Sequence, residues 1–216
     1  MSPLPLRATA TLVSLLLAAT AAADHGTRLD DIEGTDGVVL EATELATFNR
    51  PWAMTFLPDR RALVSEKAGG IWLLDEHGRK LSSVDNAPTV DMRGQGGMGD
   101  VIAHPDFADN GTVYLSWIER DADDDARSGA VVEKATLTLR GDAARLSDRR
   151  IIWRQSPKLT GNGHYSHRLA LSPDGYLFIT SGDRQHFHPS QNMAMNLGKI
   201  LRLNQDGSVP DDNPFA

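Results

Sequence analysis

Short apolar runs separated by polar turns recur along this chain and predict β-strands. One pattern occurs three times: an apolar-rich run, a Pro-Asp pair, and a second apolar-rich run. The copies are centred on Pro58-Asp59, Pro105-Asp106 and Pro173-Asp174. Because proline fixes φ and aspartate hydrogen-bonds the local backbone, each copy predicts an antiparallel hairpin. Further strand-like runs lie between the copies, at residues 70–75 and 130–139.

The spacing of these copies indicates the architecture. The prolines are 47 and 68 residues apart (105 − 58 and 173 − 105), and the longer interval contains an acidic insertion, residues 121–126. Repeats of about 40–50 residues with four short strands each are typical of β-propeller blades. No helical period of useful length occurs after the first 23 residues. We therefore predict an all-β fold with about three blades. Since propellers have about four to eight blades, we expect the N-terminal half of a longer protein.

The first 23 residues have the composition of a secretory signal peptide. Arg7 precedes an apolar run, residues 8–20, and Ala21-Ala22-Ala23 forms a small-residue cleavage site. The run is too short for a spanning helix, and no later segment is apolar enough to cross a bilayer. We expect a signal peptide at 1–23, a propeller region at 24–216, and a periplasmic or secreted protein.

Charge and cysteine content narrow the function classes. The formal net charge is −7, and removal of Arg7 with the signal peptide makes it −8. An acidic chain is poorly suited to nucleic acid or anionic lipid, so we predict neither partner. With no cysteine, an exported protein has no disulfides and depends on its core for stability.

The candidate chemistry lies in the third copy of the repeat. His164 comes just before one predicted strand, and Asp183 follows the next. A neutral imidazole held by a carboxylate can remove a proton near pH 7. The pattern alone favours a hydrogen-bonded histidine at a strand end over a catalytic base. Gln95 lies in a glycine cluster that predicts a flexible turn, and no following helix or lysine supports a phosphate site there.

From about Leu45 to Ala216 the chain resembles the soluble PQQ-dependent sugar dehydrogenases, the glucose/sorbosone and aldose dehydrogenase family of six-bladed propellers. The resemblance rests on the order and spacing of several landmarks, which are residues 51–54, 94–100, 104–107, 164–183 and 197–214. It implies oxidation of an aldose sugar at C1 to the lactone, with electrons passed to an external acceptor.

The resemblance also assigns roles to residues. His164 matches the general base that takes the C1 hydroxyl proton while hydride passes to PQQ, and Asp183 matches the acid that orients it. Gln95 matches a residue near sugar and quinone, and Arg168 the arginine of the same segment. The family's calcium ligands lie in later blades, so we expect no metal ligand within this chain and no activity from it alone. His167 departs from the family, which usually has a small residue there.

Other interpretations remain open. One is a non-catalytic propeller that binds a sugar or protein, and another is a calcium-dependent lactonase-type hydrolase.

His164 and His167, or His186 and His188, have spacings seen among zinc ligands. An acidic stretch beginning at Asp121 imitates an EF-hand but lacks its glycine and glutamate, which predicts a solvated hairpin loop. The remaining aromatic residues of note are predicted blade core: Trp52, Trp72, Trp117 and Trp153.

Overall fold

The computed structural model describes residues 27–215, so the predicted signal peptide lies outside the described residues. The chain divides into two compact units, of which the first ends at Glu44 and the second runs from Leu45 to Ala216. In the first unit, β1 (Thr27–Glu33) and β2 (Val39–Glu44) form an antiparallel hairpin. The predicted domain bounds, 1–23 and 24–216, stay a prediction.

The second unit consists of twelve strands and two short helices within the described residues. In chain order these are β3 (Pro51–Phe56), β4 (Ala62–Glu66), β5 (Ile71–Leu74), β6 (Lys80–Asp85), β7 (Met98–Ala103), α1 (Phe107–Asn110), β8 (Thr112–Arg120), β9 (Arg127–Arg140), β10 (Ala143–Arg154), β11 (Leu159–Thr160), β12 (Ser166–Leu171), β13 (Leu177–Ser181), α2 (Phe187–Gln191) and β14 (Lys199–Leu203). Neither helix is long and apolar enough to cross a membrane.

These strands form three blades in sequence. Strands β3 to β6 make a four-stranded antiparallel meander, and β7 to β10 make a second one. A short parallel pairing of β6 with β10 joins their outer edges. Strands β12, β13 and β14 form a third, three-stranded blade. The prediction of an all-β propeller fold with about three blades is therefore confirmed.

The blades are held together by two apolar cores on opposite faces of the second blade. Alternate residues of a strand point to opposite faces. On β8, Val113 and Leu115 pack with the first blade, whereas Tyr114 and Ile118 pack with the third. All four side chains are buried, as expected for a central strand covered on both faces. Ser116 interrupts the apolar positions facing the third blade.

The Pro-Asp turns agree with prediction in the first and third copies but not in the second. Short turns connect β3 to β4 and β12 to β13. After Pro105-Asp106 the chain instead forms α1 before entering β8. The reason is local: Nδ1 of His104 accepts a hydrogen bond from the Asp106 N–H (2.9 Å) and contacts the Asn110 amide (3.1 Å). These bonds favour a helical turn over a simple hairpin turn.

The innermost strands of the three blades, β3, β7 and β12, lie side by side. Their N-terminal ends therefore bring together residues that are far apart in the sequence. The acidic insertion lies elsewhere, in the loop between β8 and β9, where Asp121 Oδ1 accepts the backbone N–H groups of Asp123 and Asp124. It is a hairpin loop, as predicted.

Candidate active site

A cleft of about 510 Å³ opens where the innermost strands begin. It combines residues of all three blades with residues of the segment after β13. The lining consists of Trp52, Gln95, His164, Tyr165, Ser166, His167, Gly182, Asp183, Ser190 and Gly198. Three of the four residues predicted for the site therefore meet in one place.

The β12–β13 pairing brings His164 and Asp183 together. Ser166 at the start of β12 lies opposite Ser181 at the end of β13, so the residues just outside this pair are also neighbours. Nδ1 of His164 lies 2.9 Å from Oδ1 of Asp183. Gly182 permits this approach, because a Cβ there would lie 1.9 Å from the His164 carbonyl oxygen. A side chain at position 182 would force the two segments apart.

The ionised carboxylate of Asp183 determines which tautomer a neutral His164 ring adopts. The backbone N–H of Gln185 and then the His164 side chain lower the pKa of Asp183, so this carboxyl remains ionised. An ionised carboxylate only accepts hydrogen bonds. The proton of a neutral His164 must therefore lie on Nδ1, which leaves the Nε2 lone pair as a base. The side chain of His164 is about half exposed (53 %), so a substrate in the cleft can reach it.

Gln95 supports the same histidine from the second blade. Its side-chain Oε1 accepts a hydrogen bond from the backbone N–H of His164 at 2.8 Å. The backbone N–H of Gln95 donates to the Asn162 carbonyl at 2.8 Å. The glycine cluster around Gln95 forms a turn before β7. The amide thus lines the cleft and also fixes the main chain of the candidate base.

Arg168 is not brought into the cleft lining. Its Nε lies 3.3 Å from Oδ2 of Asp100, and 62 % of its side chain is exposed. Asp100 is itself buried, which raises the pKa of its carboxyl, and it also accepts the N–H of Leu169 at 2.8 Å. The structure therefore places Arg168 beside a carboxylate that links β7 to β12.

His167 occupies a buried position in the cleft wall. Its Nδ1 lies 2.8 Å from the Ser116 hydroxyl, and burial lowers its pKa to about 4, so the ring is neutral at physiological pH. The ring lies parallel to that of Trp52, with 6.2 Å between centroids and 6° between planes. A φ of 65° places His167 in the left-handed region that favours glycine.

The prediction that all four tryptophans are blade core is wrong for Trp52. Trp117 and Trp153 are buried, but Trp52 is 50 % exposed and lines the cleft. Strand parity explains this difference, because Ala53 faces the core and its neighbours on β3 must face away. The alternation along β3 separates Trp52 from Ala53 but does not indicate which of the two faces is buried.

The metal-site interpretation gains no geometric support. Within residues 27–215, no three His, Asp or Glu side chains cluster closely enough to hold a metal ion. His164 and His167 are instead engaged by Asp183 and Ser116 respectively.

The conserved pattern of the Glucose / Sorbosone dehydrogenase family matches residues 48–216. The chain belongs to this family. Over 168 residues it is 36 % identical to the aldose sugar dehydrogenase YliI of Escherichia coli (strain K12), an alignment that covers 77 % of this chain and 44 % of that relative.

Solved structures agree with the sequence match. The apo-form of the soluble aldose sugar dehydrogenase from Escherichia coli superimposes with a TM-score of 0.72 at 34 % identity, covering 77 % of this chain and 47 % of that one. The PQQ-bound aldose sugar dehydrogenase from Streptomyces coelicolor gives a TM-score of 0.66 at 28 % identity, covering 78 % and 48 %. This dehydrogenase-family chain thus spans about half the length of the relatives it matches.

The depressed pKa of Asp183 predicts a pH-dependent contribution to folding. Ionised Asp183 stabilises the fold fully above the ordinary aspartate pKa of about 3.9, and this contribution is lost as pH falls through the lower folded pKa. We expect the wild type to exceed Asp183→Asn in free energy of unfolding at pH 5–7, and the gap to shrink below pH 4. Urea unfolding at several pH values measures it. Asp174→Asn, at the other end of the same hairpin, controls for the lost charge, and a gap constant down to pH 3 would contradict the assignment.

Because the His167 ring lies against Gly99, we expect substitutions at these two positions to have coupled effects on the free energy of unfolding. A Cβ at position 99 would lie 1.9 Å from His167 Cε1 and 3.0 Å from the Ser116 hydroxyl. We expect Gly99→Ala to lower the free energy of unfolding by about 1–3 kcal/mol, as overpacking does. In a His167→Gly background the same change should cost much less. A double-mutant cycle by urea unfolding tests this, and additive effects would exclude the steric conflict.

Proposed function

We propose that this chain forms part of a PQQ- and calcium-dependent aldose dehydrogenase in which His164 is the general base. The observation that carries the proposal is the 2.9 Å contact between His164 Nδ1 and the ionised Asp183, beside Gln95 in an accessible cleft. His164, Asp183 and Gln95 also lie at the positions where the sequence resembles the family's catalytic residues. A purely sugar-binding surface has no need for an exposed imidazole that is oriented by an ionised carboxylate.

The proposed reaction balances as a two-electron oxidation. The anomeric hydroxyl of the sugar gives its proton to Nε2 of His164 while the C1–H bond breaks, its electron pair leaving as hydride. The C1–O bond becomes a carbonyl, so the product is the lactone. PQQ supplies the hydride acceptor when bound. The imidazolium that forms on His164 is stabilised by Asp183, which lies close enough to interact directly.

The residues present fit one part of PQQ but not all of it. PQQ is a planar quinone that carries several carboxylates. The half-exposed ring of Trp52, stacked on the buried ring of His167, offers a flat aromatic surface near the base, which suits a planar ring system. No arginine or lysine is among the residues that line the described cleft, so the carboxylates find no cationic partner there.

We infer that the cationic side chains that neutralise the cofactor's carboxylates, and the oxygen ligands of the calcium ion, come from protein beyond the three described blades. The relative YliI, of which this chain covers 44 %, is long enough to supply such blades. Arg168 remains a proposed cofactor or substrate contact, although it lies outside the cleft lining. The sugar substrate and an external electron acceptor are part of the same proposal.

Dye-linked aldose oxidation with added PQQ and calcium tests this proposal. We would assay the chain itself and a version extended through the downstream reading frame, each with His164→Ala. His77→Ala is the matched control, because this histidine is exposed in the turn between β5 and β6. We expect activity in the extended protein, a loss of about 10²–10⁴-fold in kcat with His164→Ala, and no change with His77→Ala.

The alternative functions give different results in this assay. A folded, PQQ-saturated extended protein without dehydrogenase activity would exclude the enzyme and favour a binding propeller. Activity that survives His164→Ala would exclude His164 as the base.

We further propose that the protein works outside the cytoplasm, because residues 1–23 have the composition of a secretory signal peptide. Expression of the full chain should yield an exported protein whose first residue is Asp24. N-terminal sequencing of the periplasmic fraction tests this, and an intact N-terminus on cytoplasmic protein would contradict it.

A further inference from the structure

A buried arginine lies beneath the loop that carries His164. Arg184 is 1 % exposed, directly follows Asp183, and forms no ion pair with a carboxylate of the described residues, although the charge of Asp91 acts against the lowering of its pKa by burial. A buried charge without an ionic partner is costly, so its retention requires strong local compensation. The hydrogen bonds of the guanidinium identify what it holds.

All the hydrogen-bond acceptors of this guanidinium lie on two segments. Nε donates to the Gly163 carbonyl at 3.0 Å, and Nη2 donates to the Gly161 carbonyl at 2.5 Å. On β9, Nη1 donates to the Ser128 carbonyl, and Nη2 lies 3.3 Å from the Ser128 hydroxyl. Charge-assisted bonds in this planar fork are stronger and more directional than neutral ones. Arg184 thus fastens the loop immediately before His164 to the second blade.

The residue after His164 is held by the same guanidinium. The guanidinium carbon of Arg184 lies 3.8 Å from the centroid of the buried Tyr165 ring, a cation–π contact. The Tyr165 hydroxyl in turn lies 2.7 Å from that of Ser128. Arg184 therefore contacts both chain neighbours of the candidate base.

The backbone around this arginine needs such support. His164 and Ser166 on one segment, and Arg184 and Gln185 on the other, all have φ between 50° and 63°. Non-glycine residues persist in this left-handed region only when surrounding contacts determine their conformation. The Arg184 N–H also donates to the His164 carbonyl at 3.2 Å, so the two strained segments are joined directly.

We propose that Arg184 is a positioning residue that sets the distance between His164 and Asp183 by clamping the loop on either side of the histidine. It does not touch the cleft. Its effect on catalysis rests on the proposed function, but its effect on the geometry of the pair does not.

The test is Arg184→Lys, which keeps the charge but loses the fork that reaches several carbonyls at once. Arg150→Lys is the matched control, because that arginine bonds one carbonyl, of Asp206, at the surface. Long-range proton–nitrogen NMR spectra of the histidine rings, recorded at pH 9, report the tautomer of His164. The His164 signals are assigned by their loss in His164→Gln.

We expect the wild type and Arg150→Lys to hold His164 as the Nδ1–H tautomer, and Arg184→Lys to lose this preference while remaining folded by circular dichroism. In the active extended protein, Arg184→Lys should lower kcat by about tenfold to a hundredfold, as misplacement of a catalytic group does, with sugar KM changed less. A folded Arg184→Lys that keeps the wild-type tautomer would overturn the proposal, whatever its activity.

The experiment also distinguishes failure of the proposed function from failure of the Arg184 proposal, and it allows for a variant that does not fold. If even the wild type oxidises no sugar, the proposed function fails while the tautomer measurement still decides the role of Arg184. If Arg184→Lys does not fold, Ser128→Ala replaces it, because this change removes the hydroxyl that bonds both Arg184 and Tyr165. A partial shift of the His164 tautomer would then support the clamp, and an unchanged tautomer would overturn it.

Discussion

The antiparallel pairing of β12 with β13 is the constraint on which the site depends. Its register places Ser166 opposite Ser181, which brings the residue pair His164 and Asp183 to the same end of the blade. Gly182 then allows the two backbones to approach more closely than any side chain would permit. A shift of one residue in this register would turn neighbouring side chains to the opposite face and separate the pair.

Buried polar side chains of the second blade hydrogen-bond to β12 and so stabilise this arrangement. Asp100 on β7 accepts the N–H of Leu169 on β12, and its own N–H donates to Ser116, which in turn contacts His167. These buried groups satisfy one another, which buried polar networks must do if they are not to destabilise the fold. The network therefore ties the start of the third blade to the second at the depth of the cleft.

His167 gives this member of the family a particular cleft wall. A ring stands where we expected relatives to have a small residue, and it adopts a backbone conformation that glycine would adopt without strain. Its partner Trp52 is half exposed, so the Trp52 ring presents aromatic surface beside the candidate base, whereas the His167 ring is buried. The cleft of this chain thus combines the candidate base His164 with a wall that contains His167 and Trp52.

The repeated strand–turn–strand pattern determined the all-β blades, because alternation and turn residues act over a few positions. The order of landmarks similarly indicated His164, Asp183 and Gln95. The second Pro-Asp turn became α1 because His104 accepts bonds from residues whose placement follows from the folded loop.

Tertiary structure alone decided the exposure of Trp52, the pairing of Arg168 with Asp100, and the burial of Arg184. These features depend on contacts between segments tens of residues apart, such as Arg184 with Ser128. Local pattern carries no information about such distances, because only the packing of whole blades sets them.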